Sequence, residues 1–460
     1  MERMKTQLLT AALVAQATLS QTSAFASAPT QPTLASEVVA SRANQWLLAY
    51  SKAGDFSGVA LIAQGERILF ERAYGKANVE HGLPNQLGTR FRVASVSKTF
   101  TAAGIELLIK KGQLSLSDKL DRYVKGIPNG EKITIAHLLL HQSGVGRFTL
   151  LKQDCLSEDE WIEQLRKSQP SFAPGTSSRY SNEGYFLLAV VLEKASGISY
   201  ASFLEQNIFG PLGMKDSGSA CKELPSGNNA TGYLPRGSEQ DLLPVAIQQA
   251  VPIGPGSIFS TARDLYHWLR AVDGNPQFQV DGLQYPYGWG KRNFSGRNLI
   301  DQSGIVEGFN AHIALYPSEH VYCVILSNIQ SGFFNRFEKD LESVLFGGDV
   351  SRPPQLAAYK APSNALMEYS GNYRSTTFPV AQILSVRGKD LFLQWADAPF
   401  LRPLVPTAKD SFLYRVEYAQ VTFDRDEKGR ISKSTWRWPQ GDPLIFERVS
   451  ESEAAGQPSR

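Results

Sequence analysis

Several features that announce a function are missing from this chain. It has no Lys/Arg-rich run, and its 47 basic side chains are nearly balanced by 44 acidic ones, for a net charge of +3. That balance argues against nucleic acid or another polyanion as partner. Beyond the N-terminus no segment approaches the ~20 consecutive apolar residues of a membrane helix. There is no Gly-x-Ser-x-Gly, which removes the α/β-hydrolase elbow. No Walker-type glycine loop is present to hold a nucleotide. His137 and His141 in "AHLLLH" have the i, i+4 spacing of metal ligands, but no third ligand lies nearby, so neither a metal nor a cofactor is expected. Three cysteines, Cys155, Cys221 and Cys323, allow one disulfide at most.

What remains is an ordinary globular composition, 42% hydrophobic and 20% charged, in 460 residues, long enough for two or three domains. The start "MERMKTQLLTAALVAQATLSQTSAFASAPT" has a short basic head, an apolar stretch and small residues at Ala24 and Ala26. This is the pattern of a secretory signal peptide over residues 1–26, so export, to a bacterial periplasm, is expected. Export permits a disulfide, and Cys155 and Cys221 both sit in loop-like sequence where they could pair. Cys323, in the apolar "HVYCVILSN", reads as a buried free thiol.

The pattern predicts a first helix in "SEVVASRANQWLLAYSKAG" and a hairpin across Gly65-Glu66. A run of helices follows. One opens at Ser95 and is capped by Gly112; another opens at Thr261, with Asp264 placed for a capping box. Three antiparallel strands, "NLIDQSG", "FNAHIALYP" and "HVYCVILSN", come next, then a helix in "FFNRFEKDLESVLFG". Strands at both ends and helices between predict an α/β unit over 37–347, with one antiparallel sheet flanked by helices and a helical lobe inserted. Residues 348–364 read as a linker. Residues 365–449 alternate as short strands with turns at Gly388 and Gly429, which predicts a small all-β barrel. A disordered tail is expected over 450–460.

Three short stretches carry chemistry. In "FRVASVSKTFTAAGI" Lys98 follows Ser95 by three residues, one helical turn, which brings a proton acceptor to a hydroxyl. Alone this pair is also what a polar first helical turn looks like, and Ser219 with Lys222 matches it in a loop. The second stretch is Tyr180-Ser181-Asn182, the single Tyr-x-Asn of the chain, just before a helix. The third is "DQSGI", with Gln302, Ser303, Gly304 and Ile305 on a strand.

In this order, with "HLLLHQSGV", "FAPGTSSRYSNEGYFLLAVVLEKASG", "IFGPLGMKDSG" and "GPGSIFSTARDL" around them, the stretches resemble the penicillin-recognising serine hydrolases. These comprise the class-C-like serine β-lactamases, D-Ala-D-Ala carboxypeptidases, D-aminopeptidases and related esterases. The resemblance implies a β-lactamase/transpeptidase-like fold and an acyl-enzyme on Ser95. It makes Lys98 and Tyr180 the proton-transfer residues, with Tyr180 the base during acylation. Asn182, Gln302, Ser303 and Gly304 become substrate contacts, and the N–H groups of Ser95 and Ile305 the oxyanion donors. Substrates would be small peptides, amides or esters; oligomeric state is left open. The family's usual residue at the position of Gln302 is Lys or His, a cation for a substrate carboxylate, so this chain is expected to be a poor β-lactamase. Arg147, Arg179 and Arg292 are the candidates to replace that charge. A carboxylesterase is the alternative enzyme, and an inactive scaffold of the same fold the non-enzymatic one. The segment from "LMEYSGNYRS" onward resembles the lipocalin-like barrels that follow some members and shape access to the cleft.

Overall fold

The computed structural model describes residues 34–450, apart from 149–154, 222–223, 238–240, 246–250, 279–286, 336, 357–358, 360, 397 and 399. The expected leader, the tail beyond Ser450 and Lys222 lie outside the described residues. Among the described residues, no single helix is long and apolar enough to cross a membrane.

The N-terminal unit is built on a six-stranded antiparallel sheet. Its order is Gly290–Phe294, Arg297–Val306, Phe309–Tyr316, Val321–Ser327, Gly58–Gln64 and Arg67–Tyr74. The two ends of the unit meet where Gly58–Gln64 pairs with Val321–Ser327. The central strands are buried on both faces because alternate residues point to opposite sides. Val59, Leu61, Ile313 and Leu326 join the core beneath helices Ser97–Lys110, Asn182–Ser196 and Ala262–Gly274. Ala60, Ile62, Ala314 and Ile325 face helices Ser36–Lys52 and Phe337–Phe346. The edge strand Gly290–Phe294, which the sequence reading did not separate, pairs only as far as Asp301, and residues 302–306 lie beyond its reach.

Helix Ser97–Lys110 crosses the middle of the unit and is buried from Ser97 to Leu108. It ends as the sequence predicts, with Gly112 at a positive φ of 69°. At helix Ala262–Gly274 only half of the predicted capping box forms. Thr261 caps the Asp264 N–H, but the Asp264 carboxylate turns away to accept from Asp216 N and the Ser217 hydroxyl. Cys155 and Cys221 are joined, with Cα atoms 6.0 Å apart, and Cys323 is a buried free thiol.

The C-terminal unit is a closed eight-stranded antiparallel barrel, from Gly371–Arg374 to Leu444–Val449. It is fastened to the first unit by Arg415, whose guanidinium donates to Asp55 Oδ1 at 2.6 and 3.1 Å and to the carbonyls of Gly237 and Ala53. Both charged partners are at most 1% exposed. Gly332 N–H donates to Arg415 O, and Leu234, on a hairpin of the first unit, packs into the barrel's apolar cluster. The preceding segment is also held, since Ser351 bonds Tyr50 and Asp340.

Candidate active site

The chain enters the site from strand Phe91–Arg92 and turns sharply. Ala94 adopts a left-handed φ of 47°, and residues 94–96 form a 3-10 turn. The α-helix therefore starts at Ser97, two residues after Ser95, and Lys98 lies in its first turn. Strand Arg297–Val306 lies against this turn. A Cβ on Gly304 would fall 2.1 Å from Val93 O and 2.9 Å from Ser95 N, so only glycine lets that backbone come beside the Ser95 amide. Ile305 follows on the same stretch.

Two groups converge on the Ser95 hydroxyl. Lys98 Nζ lies 3.1 Å from Ser95 Oγ, and the Tyr180 hydroxyl donates to the same oxygen at 2.7 Å. Lys98 Nζ also donates to Asn182 Oδ1 at 2.8 Å and to Pro255 O at 3.1 Å. Burial disfavours the ammonium, so the Lys98 pKa falls to about 7, with the nearby Glu183 charge offsetting part of the shift. Burial also pushes the Tyr180 phenol well above its ordinary value.

The Tyr180-Ser181-Asn182 stretch is an N-terminal helix cap. Ser181 accepts from Gly184 N–H, which makes Asn182 the first helical residue. Beneath Tyr180 sits His141, with ring centroids 4.9 Å apart and its Nδ1 accepting from Ser181 N–H. Burial and the charge of Lys98 hold His141 neutral, its pKa lowered to about 3. His137 accepts from Thr134 N–H in a capping box. These bonds account for one ring nitrogen of each histidine in local structure, and among the described residues no three metal-ligating side chains cluster.

The "DQSGI" strand divides by alternation. Gln302 faces the nucleophile and donates from Nε2 to Ser95 O at 3.1 Å. Gly304 faces the same way. Ser303, expected to meet substrate, turns its hydroxyl to His312 Nδ1 at 2.6 Å, and that ring packs on Phe337 of the outer helix. Period two puts Ser303 on the opposite face from Gln302 and removes its side chain from the group around Ser95. Arg292 is likewise on that far face, bound to Asp301 and Glu338. Arg179, next to Tyr180, bonds the Ser171 hydroxyl, and Arg147 is exposed.

Sequence reasoning missed three contributors. Pro255 acts through a carbonyl, which leaves no side-chain signal. Glu183, directly after Asn182, accepts from Phe148 N–H and the Ser181 hydroxyl and places a negative charge near Lys98. His141 reads in the sequence as a structural residue rather than a metal ligand, with nothing to place it beneath Tyr180. The assembled group can take a proton from Ser95 on one side and deliver one on the other.

Comparison with known proteins bears on this geometry. The Beta-lactamase family model matches residues 43–343. A family described as a domain of unknown function, DUF3471, matches residues 357–448. A penicillin-binding protein of Bacillus subtilis (strain 168) is 29% identical over 439 residues, covering 87% of this chain and 94% of that protein. The D-alanyl-D-alanine-carboxypeptidase/endopeptidase AmpH of Escherichia coli (strain K12) is 30% identical over 291 residues, 58% of this chain and 69% of that one. The crystal structure of a penicillin binding protein from Bacillus halodurans superposes with a TM-score of 0.55 at 26% identity, covering 65% of this chain and 97% of that one.

Proposed function

The chain belongs to the Beta-lactamase family, and from that premise we propose that it is an exported serine hydrolase forming an acyl-enzyme on Ser95. The substrates proposed are small D-amino-acid-containing or cell-wall-derived peptides. One observation carries the reading: a base and an acid meet on one hydroxyl, Lys98 Nζ at 3.1 Å and Tyr180 Oη at 2.7 Å from Ser95 Oγ.

With a pKa near 7, Lys98 is substantially a neutral amine at neutral pH. Its two N–H bonds are taken by Asn182 Oδ1 and Pro255 O, and its lone pair is left for the Ser95 proton. Ser95 Oγ then attacks the substrate carbonyl, the proton passes to Lys98, and the C=O π electrons move to oxygen. The N–H groups of Ser95 and Ile305 receive that oxyanion. Tyr180, kept protonated by burial, gives its proton to the leaving amine or alkoxide and regains one from Lys98. Water then cleaves the ester on Ser95 by the reverse path. The base is thus assigned to Lys98 and the acid to Tyr180. The family resemblance suggested Tyr180 as base, a role that needs a phenolate which this site does not favour.

The relative AmpH, a D-alanyl-D-alanine-carboxypeptidase/endopeptidase, supports a peptidase. A carboxylesterase is the second reading, and Gln302 favours it. The side chain at that position is neutral and already bonded to Ser95 O, so it offers no charge to a substrate carboxylate. Initial rates on D-alanine p-nitroanilide, its L-enantiomer, a D-Ala-D-Ala tripeptide and a neutral p-nitrophenyl ester test the choice. Preference for the D-anilide or the tripeptide supports the peptidase; turnover of the ester alone transfers the assignment to esterase.

A further inference from the structure

An eight-stranded barrel has an interior just wide enough to be filled by side chains or to hold one small molecule. One end of this barrel is filled: the rings of Tyr369, Phe412 and Phe423 meet with centroids 4.8–5.5 Å apart. The other end is different. Gln382 pairs with Trp395 across one strand boundary, and Leu393 with Arg402 across the next, so Gln382, Trp395 and Arg402 share that end. Tyr414 and Trp436 join them. The Tyr414 and Trp436 rings lie 5.8 Å apart, Trp436 and Trp395 6.2 Å, and Trp395 and Phe446 6.0 Å.

The polar groups set among these rings make no hydrogen bonds to one another or to the rest of the described barrel. Gln382 is 0% exposed and neither its amide nitrogen nor its oxygen is hydrogen-bonded. The Tyr414 hydroxyl is equally buried and unbonded. Arg402 is 6% exposed and, among the described residues, makes no hydrogen bond or ion pair. The carboxylate whose charge reaches it, Glu417, accepts from Trp438 Nε1 at 2.7 Å. A buried primary amide and a buried phenol left without hydrogen bonds are costly, and the guanidinium beside them lies over the Phe400 ring, 5.6 Å from its centroid, with no carboxylate among the described residues bonded to it. Polar groups of this kind are retained where something they bind completes them.

We infer that the Arg402 end of the barrel is a binding site for a small carboxylate with an aromatic or apolar body. The guanidinium fork would take the two carboxylate oxygens, with Gln382 Nε2 and Tyr414 Oη as further donors. Trp395, Trp436 and Phe446 would cover the body. This site is separate from Ser95 and does not depend on the reaction assigned there.

Calorimetric titration of the full-length protein with phenylacetate tests this, with phenylacetamide as the uncharged control. The expected result is one-to-one binding of phenylacetate, equal in wild type and Ser95→Ala, with weaker binding of the amide. Arg402→Met and Gln382→Leu should each weaken it by about tenfold or more. Melting curves establish that the variants are folded. Gln382→Leu removes an unpaired polar group at similar volume, so it carries the test if Arg402→Met does not fold. The inference is overturned by no binding at millimolar phenylacetate. It is also overturned by equal affinity in the folded barrel variants, which would leave only hydrated polar groups inside, or by binding that disappears in Ser95→Ala.

Discussion

Gln302 Nε2 donates to the carbonyl oxygen of Ser95 across 3.1 Å, so the strand residue best placed to read a substrate carboxylate is bonded to the nucleophile's own backbone. A cation here would both attract a carboxylate and stabilise a Tyr180 phenolate. With a neutral amide in its place, neither effect operates. Gln302→His or Gln302→Lys is expected to raise kcat/KM for benzylpenicillin by about tenfold or more while changing a neutral ester little. Equal effects on both substrates would show that the position does not discriminate charge.

The base assignment has a pH signature. Burial lowers Lys98 to about 7. Below that value the ammonium predominates and the lone pair needed for the Ser95 proton is lost; above it the amine is free. The kcat/KM of a neutral ester should therefore rise roughly tenfold per pH unit on the acid side and level off above about pH 7. A profile flat from pH 5 to 8 would remove Lys98 from the role.

Tyr180→Phe separates acid from base. An acid at the leaving group matters most when the leaving group is a poor one. The substitution is expected to cost about 10²–10⁴-fold on a peptide bond and much less on a p-nitrophenyl ester, whose leaving group departs without a proton. Equal losses on both would return Tyr180 to the role of base.

The barrel's attachment is a buried ion pair 360 residues apart in sequence, Asp55 with Arg415. Removing one partner leaves an uncompensated buried charge, so Arg415→Ala or Asp55→Ala should lower unfolding free energy by about 3–5 kcal/mol in denaturant titrations. A loss below about 1 kcal/mol would mean that the units are held by the apolar contacts around Leu234 instead.

Much of this was legible because it is local. The Ser95–Lys98 spacing is one helical turn, the Tyr180 segment is a helix cap, and the strands announce themselves by apolar runs or alternation. Even Ser303 was within reach, since the alternation that turns Gln302 inward must turn Ser303 outward. What stayed hidden depends on distant contacts. Pro255 contributes a main-chain oxygen, Asp264 gives up its predicted cap for residues 216 and 217, and Arg415 finds Asp55 only once both units are folded. The unbonded Gln382 amide appears only when the barrel closes around it.

The central claim is that Ser95 carries the acyl group. Intact-protein mass and peptide mapping after brief exposure to p-nitrophenyl acetate, quenched in acid, tests it directly, with Ser95→Ala alongside. The account predicts a single acetyl adduct on the peptide containing Ser95 in wild type, and neither adduct nor ester turnover in Ser95→Ala. Turnover undiminished in Ser95→Ala, or an acetyl group found only elsewhere, would contradict it.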